Sequence, residues 1–385
     1  MVAAWLFALT CLGIVYGSLY PFGFRFEPIA LEYAVGELLR EHRYDGGIGN
    51  VLANVVLFLP YGLFGALALV RRTRWLRWAI LIGGGAVLAF GIQVLQLWLP
   101  PRVPAVRDGL LNMVGLVLGG LLAAVPWWRL QREPRSGEDG VLVIPAMLIA
   151  CWVAYKWFPF VPTLDWYTIK QGLKPLWLEP RLEWLGVLRN GIGWLVVAAL
   201  WRDCRLPARW FWIFLPTVVF AQVGIAHNPL ALDGVIGAAL ALPAWWLLSR
   251  VTYVPAAPVL LGLIVLVVLQ GLHPFVPGPS SFVWVPLQGF LTGSMGVNLL
   301  SLLFKLFLYG SLVWLVFRVT GRAGWALGLP VVLVLLVEIA QTRIAGRVAE
   351  ITDPLLCLLI GALLWLVLRS QQSGATTLSL RAQRQ

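Results

Sequence analysis

Two strings of polar residues interrupt apolar stretches of this chain at one shared spacing. Gln93, Gln96, Arg102 and Asp108 are 3, 6 and 6 residues apart, and Glu338, Gln341, Arg347 and Asp353 repeat those steps. The first two residues of each string share a helix face. Arg102 and Arg107 then sit in a proline-marked loop (Pro100, Pro101, Pro104), and Asp108 opens the next apolar run, with Asn112 one turn on. An arginine pair beside a helix N-terminus suits a phosphate or a carboxylate. Glu338 lies within an apolar run, where it must pair, protonate or face water. Arg347, Asp353, Arg343 and Asn298 are its candidate partners, and Lys305 is expected to snorkel or to pair with it. Glu338 and Asp353 are therefore the candidate acid–base groups. The ordinary role of Asp108 and Asp353 is to cap helices, and Gly115 with Gly119 permits close helix packing.

The elements that must hold these residues are membrane spans. The chain has 385 residues, 60% hydrophobic and only 12% charged, which excludes an ordinary soluble enzyme. Each span needs about 20 apolar residues. Twelve runs are expected, near 2–20, 49–70, 78–99, 108–128, 140–157, 184–201, 210–227, 231–249, 255–273, 295–317, 323–342 and 351–368. The first lacks a basic flank and a small-residue cleavage site, so it reads as a retained span. The outer segment 25–45 reads as a surface amphipathic helix.

A net charge of +12 on a soluble chain would suggest nucleic acid; here its placement argues otherwise. The even-numbered loops, the N-terminus and the tail hold sixteen arginines against four acids, so the whole net charge falls on one side. The positive-inside bias then puts both termini in the cytoplasm and the polar strings at the outer ends of their spans. Asn50, Asn54, Gln93, Gln96, Arg102, Arg107, Asp108, Asn112, Asn298, Glu338, Gln341, Arg347 and Asp353 would together form an extracytoplasmic ligand-binding surface. The four cysteines and three histidines are scattered, which gives no disulfide framework and no metal spacing. No cofactor is expected.

Internal repetition organises the whole chain. A Pro-Phe pair closes the first, fifth and ninth runs, at Pro21-Phe22, Pro159-Phe160 and Pro274-Phe275. Asn50 precedes Gly62 by 12 residues, as Asn298 precedes Gly310. The middle stretch keeps Gln222 and Asp233, 11 apart, but has Asn228 in place of the arginine. The expected fold is all-α: a polytopic integral membrane protein of about 12 transmembrane helices in three parallel four-helix repeats. Their bounds are 1–130, 140–250 (degenerate) and 253–369, with a linker at 129–139 and a polar tail, 370–385, that reads as disordered.

The strings YGSLYPF (Tyr16 to Phe22), NVLANVVLFLPYG (Asn50 to Gly62) and QVLQLWLPPRVPAVRDGLLNMVGLVLG (Gln93 to Gly119) resemble the VanZ-like family of bacterial membrane proteins. Asp108, Asn112 and Gly115 match its pattern in register. The third unit matches at Glu338, Gln341, Arg347 and Asp353 but has Cys357 where Asn is expected and Ile360 where Gly is expected. Gln93 stands where the family commonly has Glu. The resemblance implies a four-helix membrane unit, and the family's namesake activity is low-level resistance to teicoplanin, a glycopeptide.

The functional expectation is a non-catalytic, multi-pass protein of the bacterial inner membrane. It would bind a cell-surface or lipid-linked ligand and affect glycopeptide susceptibility. Its partners would be the lipid bilayer and a lipid-linked envelope precursor or glycopeptide, with no nucleic acid. Two other readings stay open: an intramembrane enzyme acting on a lipid or polyprenyl phosphate, and a lipid transporter or flippase.

Overall fold

Apolar runs of this length fold as helices because a helix satisfies its own backbone hydrogen bonds without water. The computed structural model describes residues 2–39, 47–100, 102–124, 139–178, 180, 182–252, 255–292 and 295–382. All twelve expected runs contain a helix. The first set is α1 (Val2–Leu19), α3 (Gly47–Ala68), α4 (Arg74–Gln96) and α5 (Val106–Ala124), with the short α2 (Leu31–Leu39) after α1. The middle set is α6 (Asp139–Trp157), α8 (Trp184–Asp203), α9 (Ala208–Ala221) and α10 (Leu232–Val251), with α7 (Trp166–Leu173) between the first two. The third set is α11 (Ala256–Leu272), α13 (Met295–Thr320), α14 (Ala323–Gln341) and α15 (Thr352–Ala382), with α12 (Gln288–Thr292) before α13.

Among the described residues, seven helices are long and apolar enough to cross a membrane: α3, α4, α5, α8, α10, α13 and α14. Five shorter apolar helices occupy the other expected runs: Ala3–Leu19, Ile144–Trp157, Ala208–Gly224, Ala256–Leu272 and Thr352–Leu368. The expected outer helix in 25–45 is present as α2, with residues 40–46 outside the described ones. The expected linker lies almost wholly in 125–138, also outside them. Residues 370–382 are a correction: they continue α15 as a helix instead of a disordered tail. Their Ala, Leu, Gln and Arg residues favour a helix, and no proline interrupts them.

The loop elements were not expected from the sequence. Asp165 caps α7, accepting from the Tyr167 and Thr168 amides, and the Thr168 hydroxyl and amide hold its carboxyl below the usual carboxylate range. Two short strands, β1 (Phe282–Val283) and β2 (Ala349–Glu350), pair in parallel.

The chain divides into two compact units, Met1–Pro134 with Gly289–Met295, and Arg135–Gln288 with Gly296–Gln385. The first unit is built around Ile14, Phe58, Tyr61, Leu81 and Leu116. Here α3 and α5 touch backbone to backbone: a Cβ on Gly115 would lie 2.0 Å from the Val55 carbonyl oxygen, and one on Gly119 2.0 Å from that of Leu59. In the second unit the middle and third sets share one core, in which Trp152 meets Trp194 edge-on at 5.8 Å and Phe307 at 4.6 Å. There α8 packs on α10, and α14 on α15. Ile360 and Leu364 stand where α5 has Gly115 and Gly119, so the glycine pair of the first set is not repeated on α15.

Candidate functional site

In the first set, polar side chains from α4 and the loop after it grip the C-terminal end of α1. A helix leaves its last four carbonyls without intrahelical partners. Arg102 donates from Nη2 to the Gly17 carbonyl at 3.0 Å and from Nε to the Tyr20 carbonyl at 3.1 Å, and Gln96 Nε2 donates to Ser18 at 2.8 Å. A cation is favoured at this negative helix end. Burial lowers the Arg102 pKa, but a guanidinium stays charged in proteins. Beyond Pro21, Phe22 takes φ 61° and its amide donates to the Leu19 carbonyl at 2.8 Å. The Arg25 amide donates to the Trp98 carbonyl at 2.9 Å, and Gln93 Oε1 accepts the Ala105 amide at 2.9 Å.

The other candidates of the first set are placed differently. Asn112 is buried on α5, and its Oδ1 has no partner among the described residues. Arg107 is exposed, while Asp108 and Asn54 are half-buried. Asn50 lies in the first turn of α3, and its side chain falls outside the described ones.

The third set repeats the arginine and loop contacts, but not that of Gln96, since Gln341 donates to Glu338 instead. Arg347 donates from Nη2 to Gln270 and from Nε to His273, both carbonyls at 2.5 Å. Phe275 takes φ 63°, its amide donates to Leu272 at 2.8 Å, and the Gly278 amide donates to Arg343 at 3.0 Å. Glu338 takes the place of Gln93, with Oε2 accepting the Glu350 amide at 2.7 Å and Oε1 accepting Gln341 Nε2 at 3.3 Å.

The third set adds ionic contacts between α13 and α15. Asp353 Oδ1 pairs with Lys305 Nζ at 2.5 Å, and Oδ2 accepts the Tyr309 hydroxyl at 2.6 Å. Glu338 and Asp353 are 3% and 6% exposed, and Glu338 lies within electrostatic reach of both Asp353 and Lys305. This corrects three expectations. Lys305 pairs with Asp353, not Glu338. Glu338 is held by a backbone amide and Gln341, not by an arginine. The oxygens of Asp353 are given to Lys305 and Tyr309 instead of capping α15, because the Lys305 ammonium is the stronger donor. Asn298 is half-buried in the first turn of α13.

The middle set keeps the frame despite its missing arginine. The Phe160 amide donates to Trp157 at 2.8 Å, the Thr163 amide to Gly224 at 2.9 Å, and Asn228 Nδ2 to the Lys156 carbonyl at 2.6 Å. Lys156, Asn190, Lys305 and Tyr309 stand in these clusters, and the sequence reading passed over Lys156 and Tyr309. A usable signal was present: Tyr309 precedes Gly310 as Tyr61 precedes Gly62. Among the described residues, no group of three His, Cys, Asp or Glu side chains is placed to hold a metal ion.

The match that bears on identity covers this first polar frame. Residues 7–128 match the VanZ/LLP1 family model. This VanZ-like region holds most of α1 and all of α2 to α5, the Arg102 grip and the α3–α5 glycine contact. The apolar helices and this region together support a membrane protein. No curated protein and no solved structure matches the chain.

Proposed function

We propose that this chain is a multi-pass protein of the bacterial inner membrane, built of three VanZ-like four-helix units. It has about 12 spans and both termini in the cytoplasm. It binds a cell-surface or lipid-linked ligand at the extracytoplasmic ends of its helices and alters glycopeptide (teicoplanin) susceptibility. The three-unit reading is supported by the frame: an amide four residues after each Pro-Phe proline donates to the carbonyl two residues after Gln96, Gln222 or Gln341, at 2.9, 2.9 and 3.0 Å.

The observation that carries the binding role is the buried Lys305–Asp353–Tyr309 cluster with Glu338 beside it. Leu57 follows Asn50 by seven residues, as Lys305 follows Asn298. The first set therefore folds with an apolar side chain where the third places an ion. Ions among membrane helices are costly and mark functional sites.

The test is binding of teicoplanin and of a polyprenyl phosphate to the full-length protein in lipid nanodiscs. Lys305→Leu with Asp353→Asn removes both charges together and leaves no orphaned ion. Saturable binding that weakens at least about tenfold in this pair and in Glu338→Gln is expected, a loss of about 1.4 kcal/mol. Equal binding by all forms, or none by the wild type, overturns the reading.

A further inference from the structure

The middle set holds a lysine with no ion-pair partner among the described residues. Lys156, in the last turn of α6, donates from Nζ to Asn190 Oδ1 of α8 and stands 5.0 Å from the Trp152 ring centre and 5.7 Å from that of Tyr155. An ammonium has three N–H donors. Among the described residues Asn190 is its one hydrogen-bond acceptor, and no carboxylate lies within ion-pair distance. Arg189 and Asp233 are within electrostatic reach. Arg189 adds a second positive charge and donates to no acceptor among the described residues. Asp233 is turned elsewhere: Oδ1 accepts the Gly234 amide at 2.8 Å, and Oδ2 lies against Gly186, where an added Cβ would be 1.8 Å away. Asn190 cannot serve as a counter-ion, and its Nδ2 is committed to the Gly186 carbonyl at 2.8 Å.

The third set shows a lysine of this kind with its counter-ion. There Lys305 has Asp353 at 2.5 Å. The middle set has two cations to one carboxylate at one end of α6, α8 and α10, with a neutral amide in the position where a counter-charge would bind. A partly desolvated ammonium calls for an anion. We infer that Lys156 and Arg189, with the neutral Asn190 beside them leaving their charge unmet, form an anion site that takes a phosphate group. Helix ends lie at the depth where a bilayer presents phosphate headgroups, and a guanidinium beside an ammonium matches phosphate oxygens. This site is separate from the Glu338–Asp353 cluster, and its test does not depend on that one.

The full-length protein in detergent is examined by native mass spectrometry after exposure to phosphatidylglycerol or phosphatidylcholine. Its thermal midpoint is measured in inorganic phosphate and in chloride at matched ionic strength. Retention of phosphatidylglycerol over phosphatidylcholine identifies a lipid headgroup as the source. A midpoint raised by phosphate without lipid retention identifies a soluble anion. Asn190→Asp supplies the counter-charge from within, in imitation of Asp353. It should cut either form of binding at least about tenfold while keeping or raising the midpoint. Lys156→Gln should cut binding equally. Binding that is unchanged in Asn190→Asp, or a wild type that takes up neither phosphate nor phosphatidylglycerol, overturns the inference.

Discussion

The first and third helical sets hold the same frame around different interiors. In both, one arginine binds two carbonyls at the end of a helix, three residues apart: Gly17 and Tyr20, or Gln270 and His273. In both, a residue twelve positions upstream accepts a loop amide, Gln93 from Ala105 and Glu338 from Glu350. Behind that frame the sets diverge. The first has Leu57 and a glycine seam; the third has Lys305 against Asp353 and bulky Ile360 and Leu364. The shared part is what closes a helix end that cannot reach water. The divergent part is free of that duty, and it is where the proposed binding role is placed.

The largest difference between the two sets should appear on removing the carboxylate. Asp353→Ala leaves Lys305 without its counter-ion and should cost about 3–5 kcal/mol in unfolding. Lys305→Leu with Asp353→Asn gives the third set an apolar residue where the first has Leu57, leaves no orphaned ion and should cost distinctly less. Thermal or denaturant unfolding in detergent measures both, and equal losses would erase the distinction.

Next in size is the glycine seam. Gly115→Val drives side-chain carbon into the Val55 carbonyl and should cost about 1–3 kcal/mol or more. Ile360→Val at the corresponding position should cost about 1 kcal/mol. A tolerated valine at 115 would deny the close α3–α5 contact.

The shared frame should respond alike in both sets. Arg102→Met and Arg347→Met each strip two charge-assisted bonds and should each lower stability by about 1–3 kcal/mol. The smallest effect falls in the middle set, where Asn228→Ala loses a single neutral bond, about 1 kcal/mol. Unequal losses for the two arginines would show that the frame is not one device used twice.

The frame was legible in the sequence because it is set by spacing. The steps from Gln96 to Arg102 and from Gln341 to Arg347 fix where each arginine returns, and Pro-Phe marks the helix end it returns to. What the arginines contact was not legible. An arginine beside a helix reads as an anion holder, whereas here the nearest unmet need is a row of backbone carbonyls. The partner of Lys305 was missed for a similar reason. Glu338 and Asp353 are both carboxylates near one end of their helices, and only packing selects between them. Lys156 escaped because it lies outside the shared spacing, on a set whose arginine is replaced. The short β1–β2 pair left no signal, since two residues are too few for an alternation to register.

The central claim is that the Arg102 and Arg347 frames are copies of one unit, inserted in the same direction and facing outward. Single cysteines at Val103 and Val348, both exposed beside their arginines, and at Arg74 as a reference, would be placed in a background lacking the native four cysteines. A membrane-impermeant thiol reagent is then applied to intact cells and to inverted vesicles. Labelling of 103 and 348 from outside only, with 74 from inside only, is the predicted result. Labelling of 103 and 348 from opposite sides, or of both from inside, would contradict the account.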